Sequence, residues 1–393
     1  MKKITKIICI ITCFYLPTNT ICHSDTTRNV VFGITVTSIC AASIYGLTRI
    51  FSKPKKFKPT KKNLHIHVFA PASSTNHKQQ KSNVITFDEM VETIHRGKRF
   101  KEADLMVTSQ DKKNKVVTIH RSLKVLKKYN TFFIASRGYA KSNVPVLGDY
   151  LELTRDAGAA IEGHMLIKDN LVHDAPCITF DYPDDPHYFN FGQNLDVSCL
   201  KTVWNYATRK KDNPSIIAIG DCRGGKALLN FATTRPTQLK AMILMSPFIS
   251  DKDLIDQIAK NHIKWLPWSN HILFNFFKFY FPSFDPNQDD LIGKIHKIDP
   301  ELPIFIGHRK NDFLVSDTSM RRLLHELKKA GNKDLYLLVV SDDNATHSRI
   351  SPILDLQYAA NAFLAAYELP HNPQLAQKGQ LLLEQAKFTA QNY

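Results

Sequence analysis

"SIIAIGDCRGGKALLNFA", residues 215–232, passes from an apolar run through a glycine-rich turn into an apolar helix pattern. Ser215 to Gly220 reads as a strand, and Cys222 to Ala232 as a helix. Where they meet, "GDCRG" (Gly220–Gly224) has the form Gly-x-nucleophile-x-Gly, with Cys222 at the sharpest point. A side chain thrust above a sheet from such a turn needs a strained backbone, and Cβ atoms two positions to either side would crowd it. Gly220 and Gly224 remove those atoms. The helix begins at the nucleophile, and helix N-termini favour a thiolate. Arg223 is a second expected source of positive charge beside the sulfur.

A nucleophile of this kind needs a base and an acid that orients the base. Asp312, in "GHRKNDFLV", follows an apolar run at Leu302–Ile306. His347, in "DDNATHSRI", follows another at Leu335–Val340. The chain order Cys222, Asp312, His347 places all three just past strand ends, where parallel sheets keep their sites. Asp251, after "MSPFIS", is the rival acid, and His308 reads as a loop histidine.

Outward from the turn, the chain alternates between strand and helix patterns. "LHIHVFAP" predicts a short leading strand, whose His65 and His67 read as exposed strand histidines rather than a metal pair. Two β-rich runs flank the polar turn Asp111–Lys115 and predict a hairpin. "TFFIAS", "APCITF", "LKAMILMS" and "DLYLLVV" predict further strands, with helices over "LDVSCLKTVWNYA", "DTSMRRLLHELKKAG" and "LDLQYAANAFLAAYEL". A hairpin followed by alternating strands and helices is the pattern of an α/β fold: a mainly parallel sheet covered by helices on both faces. Cys177 and Cys199 read as core. Residues 251–296 break the rhythm with an aromatic-rich insert containing Trp265, Trp268, Phe274, Phe276, Phe277 and Phe279. They either line a lid, pack the insert on the core, or face a membrane.

Residues 103–368 resemble the α/β-hydrolase superfamily. The resemblance is carried by "SIIAIGDCRGG" as nucleophile elbow, "TFFIASRGYAKS" as oxyanion loop and "ITFDYPDD" as the strand and loop that follow. It implies a Cys222–His347–Asp312 triad, with oxyanion donors from the backbone of Arg223 and Tyr139, and no cofactor or metal. The Cys with a double glycine is similar to the dienelactone hydrolases. Two departures stand out: Arg137-Gly138 where His-Gly is common, and Cys where the elbow usually carries Ser. The implied activity is acyl hydrolysis of a carboxylic ester or thioester, with a small acyl substrate that is lipid-like in character. The alternatives are a catalytically inactive binding protein of the same fold and a membrane-delivered effector.

The net charge of +16 is concentrated at one end: residues 1–63 hold eleven Lys and Arg against Asp25 alone. With no RRM, KH, helix-turn-helix or zinc-finger pattern, nucleic-acid binding is excluded as the reading. Basic residues flanking apolar runs are instead a membrane topology signal. Residues 1–24 predict a signal peptide or first membrane segment, and residues 30–51 a transmembrane helix. Residues 52–102 read as a basic linker and N-terminal extension, 103–368 as the hydrolase domain with 251–296 as its lid, and 369–393 as a helical tail. The positive flank after residue 51 places the catalytic domain on the cytoplasmic face.

Overall fold

The computed structural model of the chain describes residues 64, 66–71, 84–86, 105–108, 116–120, 123–136, 166, 171–180, 182, 191–262, 270–271, 273–275, 291–341 and 353–393. Among them, ten strands form one sheet: β1 (His67–Pro71), β2 (Val84–Thr86), β3 (Leu105–Thr108), β4 (Val116–His120), β5 (Thr131–Ser136), β6 (Cys177–Thr179), β7 (Ser215–Asp221), β8 (Leu239–Met245), β9 (Ile304–Arg309) and β10 (Leu335–Val340). The described helices are α1 (Asn194–Thr208), α2 (Arg223–Ala232), α3 (Asp251–His262), α4 (Leu291–Lys294), α5 (Asp317–Lys329), α6 (Leu354–Ala366) and α7 (Pro373–Asn392).

The sheet order is β10-β9-β8-β7-β5-β6-β1-β4-β3-β2. From β10 to β6 every neighbouring pair is parallel. These strands are apolar along nearly their whole length because both faces are covered. Along β7 the side chains alternate between the two cores, as a strand's period of two requires. Ile216 and Ala218 join Leu200, Val203, Leu228 and Leu323, whereas Ile217 and Ile219 join Leu356, Phe363 and Leu383.

The expected hairpin forms, with β3 and β4 antiparallel. The leading strand forms as well, and it lies inside the sheet rather than ahead of it. β1 pairs antiparallel with both β6 and β4, and β2 pairs with β3. Residues read as a linker and extension thus supply two strands. The tail 369–393 also belongs to the packed body: Leu383 and Ala386 of α7 are buried in the second core. Gly379 lets α7 lie directly on α6, since a Cβ there would fall 2.0 Å from the Tyr358 carbonyl oxygen.

One strand end needs correcting. The run expected to stop at Ile306 continues to Arg309, because β10 pairs with it as far as Val340↔Arg309. His308 is therefore a fully buried strand residue and not a loop histidine. Backbone pairing extends the ladder regardless of the polarity of the side chains that ride on it.

Among the described residues no helix is long and apolar enough to cross a membrane. The segments 1–24 and 30–51 lie outside the described residues, as do Trp265, Trp268, Phe276, Phe277 and Phe279 of the aromatic insert.

Candidate active site

Within the parallel part of the sheet, β10 to β6, chain order and sheet order disagree at one place. The chain steps from β5 to β6 on one side and returns to β7 on the other, so β5 and β7 flank a switch point. Ligand crevices in open α/β sheets form there, beyond the C-terminal strand ends. Ser136, the last residue of β5, pairs with Gly220 of β7. The C-terminal ends of β5 and β7 therefore lie side by side.

At the end of β7 the backbone turns abruptly. Cys222 has φ 47° and ψ −109° and is the N-cap of α2. A non-glycine residue with positive φ is uncommon, and holding it there costs about 1–3 kcal/mol that the surroundings must offset. They do so on both sides of the turn. The Cys222 N–H donates to the Met245 carbonyl at 2.8 Å, and the Cys222 carbonyl accepts from the Lys226 N–H at 3.1 Å. A Cβ on Gly220 would meet the Gly225 Cα and N at 2.8 Å, so the first glycine of the motif lets α2 approach β7. Gly224 is buried in the first turn of α2.

Arg223, the first residue of α2, points inward and is 2% exposed. Its Nε and Nη2 donate to Asp196 Oδ2 and Oδ1, both at 2.6 Å. Asp196 is fully buried and also accepts from the Gly192 N–H at 2.7 Å. Burial pushes the Asp196 carboxyl up, while the Arg223 charge, its hydrogen bonds and Gly192 pull it down. The Arg223 guanidinium lies 4.6 Å from the centre of the Tyr182 ring, and the Tyr182 hydroxyl bonds Ser136 Oγ. Arg223 is thus an internal ion-pair partner whose charge is matched by Asp196.

One turn further along α2, Lys226 is also fully buried. Its Nζ donates to Asp251 Oδ1, and Gln193 Nε2 donates to Asp251 Oδ2. Both oxygens of the rival acid are therefore engaged at the base of α2. Asp312 is held differently. Its Oδ1 accepts from the Leu314 and Val315 N–H groups, both at 2.9 Å, in the loop after β9. Two backbone donors fix the carboxylate's orientation. His347 and Tyr139 lie outside the described residues.

The two thiols read as core are buried, Cys177 on β6 and Cys199 on α1. Burial first, and then the Asp196 charge, push the Cys199 thiol up, which makes it a poor nucleophile. Sequence reasoning missed Asp196, Gln193 and Lys226. In "CRGGKALLN", Arg223, Lys226 and Asn230 make a polar stripe at helical spacing, which ordinarily marks a solvated face. Their partners come from segments on either side along the chain, and no local pattern announces them.

A mainly parallel sheet, a switch point and a strand–turn–helix with its sterically required glycine together decide the architecture. The fold is an α/β fold. No family model matches the chain, and no curated protein matches it. Among solved structures, the chain is similar to an esterase from Pyrococcus furiosus, at 15% identity and a TM-score of 0.43, covering 70% of this chain and 93% of that one. It is also similar to a monoacylglycerol lipase from Paleococcus ferrophilus, at 14% identity and a TM-score of 0.38, covering 60% and 96%. A lidless α/β serine hydrolase from Xanthomonas campestris matches at 12% identity and a TM-score of 0.36, covering 62% and 85%. At such identities and scores none of them carries an activity over to this chain.

Proposed function

We propose that the protein is an acyl hydrolase that cleaves a carboxylic ester or thioester through Cys222. The observation that carries this reading is the elbow. A cysteine held at positive φ, at the switch point and at the start of a helix, has a backbone cost that simple packing does not require. In the proposed reaction His347 takes the thiol proton and the Cys222 sulfur adds to the acyl carbon. The oxyanion is met by the backbone N–H of Arg223 and of Tyr139. Collapse expels the alcohol or thiol, which leaves with the proton from His347. Water, deprotonated by His347, then adds to the acyl carbon; the carbon–sulfur bond breaks, the acid leaves, and the Cys222 sulfur takes back the proton from His347. Asp312 holds the imidazole tautomer through both steps.

An apolar, lipid-like acyl chain is the proposed substrate, with the 251–296 insert as lid and residues 30–51 as the membrane anchor on whose cytoplasmic side the domain sits. The test compares wild type, Cys222→Ala and Cys222→Ser on micellar and short-chain esters and on thioesters. Loss of a nucleophile lowers turnover by about 10⁴-fold or more, so Cys222→Ala should fall to background. Equal turnover by wild type and Cys222→Ala on every substrate sinks the hydrolase reading and leaves a binding protein of the same fold.

A further inference from the structure

We propose that Asp196 is a positioning residue for acyl transfer, acting through Arg223; the inference rests on the hydrolase reading above. An oxyanion hole works only if its donors are fixed before the charge develops, at about 2.7–3.1 Å from where the oxygen will sit. One proposed donor is the backbone N–H of Arg223, and N–H groups in a helix's first turn point out of its N-terminus. Four side chains, Asp196, Arg223, Tyr182 and Ser136, tie the residue that carries this donor to the end of β5. Asp196 grips Arg223 through both edges of the guanidinium. The guanidinium packs on the Tyr182 ring, and the Tyr182 hydroxyl bonds Ser136 at the end of β5.

A two-pronged pair fixes a plane as well as a distance, which a single Lys contact does not. Asp196 is itself held by the Gly192 N–H and sits in the first turn of α1, where the helix dipole favours a carboxylate. Asp196 thus anchors the residue that follows the nucleophile, and Tyr182 and Ser136 transmit that anchorage to β5. Its role is spacing. It touches neither substrate nor thiol.

The Lys226–Asp251 pair gives a matched control. It is equally buried on the same helix, and Lys226 is outside the reacting set. Asp196→Asn alone leaves a buried guanidinium without its counter-charge and endangers folding. The test therefore uses double variants that replace each pair with apolar residues of similar volume, which proteins commonly tolerate. These are Asp196→Leu with Arg223→Met, and Asp251→Leu with Lys226→Met. Two rates at Cys222 are compared in the full chain: acylation by p-nitrophenyl acetate, which needs the oxyanion hole, and alkylation by iodoacetamide, which does not.

The first double variant should lose roughly 10²-fold in acylation relative to alkylation, with the loss in kcat rather than KM. The second should keep the wild-type ratio, and Arg223→Lys should fall between. An unchanged ratio in the Asp196 variant, or an equal fall in both double variants, overturns the positioning role. A wild type that alkylates but never acylates overturns the hydrolase reading and this inference with it.

Discussion

At the residue scale, the elbow turns on atoms that are absent. Gly→Ala in a strand ordinarily gains about 0.5–1 kcal/mol. At Gly220 the new methyl would sit 2.8 Å from the backbone of Gly225 and 2.7 Å from Leu228 Cδ1. Leu228 can turn aside, but backbone cannot, so the clash outweighs the gain. Gly220→Ala should destabilise by at least about 1–3 kcal/mol in urea denaturation and abolish turnover even in the fraction that folds. A second residue-scale consequence concerns alkaline pH. The Cys199 thiol and the Tyr182 phenol are both raised by burial in the folded state. In the unfolded chain they ionise near their usual 9.0 and 10.0. Folding thus retains protons that unfolding releases, so this contribution is complete below pH 9 and is lost as pH rises beyond it. Stability should decline above about pH 9, by up to about 1.4 kcal/mol per pH unit for each group. Cys199→Ala should flatten that decline in denaturation series measured across alkaline pH.

Helices show where the sequence misleads and why. In α2 the positively charged stripe looks like a surface, yet α1 and α3 each press the carboxylate of a first turn against it. Acidic residues are favoured at helix N-termini for their own sake, so neither Asp196 nor Asp251 signals a long-range partner. α7 raises the opposite question, since Gly379 in mid-helix looks like a weakness. Replacing it with Ala gains about 1 kcal/mol of helix propensity. The close approach to Tyr358 decides the sign, because α7 would have to lift from α6 and expose Leu383 and Ala386. Gly379→Ala should therefore lower stability by about 1–3 kcal/mol despite its better propensity. Limited proteolysis should then cut within α7 before it cuts the sheet strands; an α7 as protected as in wild type would contradict this.

For the whole molecule, the sheet gathers segments far apart in the chain around one edge of the switch point. Cys222 follows β7 and Asp312 follows β9, two strands away. The membrane expectation belongs to this scale as well. If residues 30–51 anchor the domain, a chain lacking residues 1–63 should partition into the soluble fraction after cell lysis and keep its turnover on short esters. The full chain should sediment with membranes and resist extraction by alkaline carbonate. Equal partitioning of the two forms would remove the anchor.

Much of this architecture was legible because it depends on local chemistry. Fully apolar runs such as Ile216–Ile219 must be buried on both faces, and a glycine-bounded turn between strand and helix has few conformations open to it. The turn at Cys222 and its need for Gly220 were therefore readable. Other features depend on partners that the chain does not place nearby. His308 joined a strand because β10 lay alongside it. β1 entered the sheet because β6 and β4 offered unpaired edges. Asp251 became the partner of Lys226 once α3 met the base of α2. Backbone pairing and buried charge compensation are satisfied in space, by whichever group the fold brings within reach. The sequence by itself determined the glycine-bounded turn at Cys222 and the alternation of strand and helix. Only the tertiary structure decided which charges would be buried together and what would hold Arg223 in place.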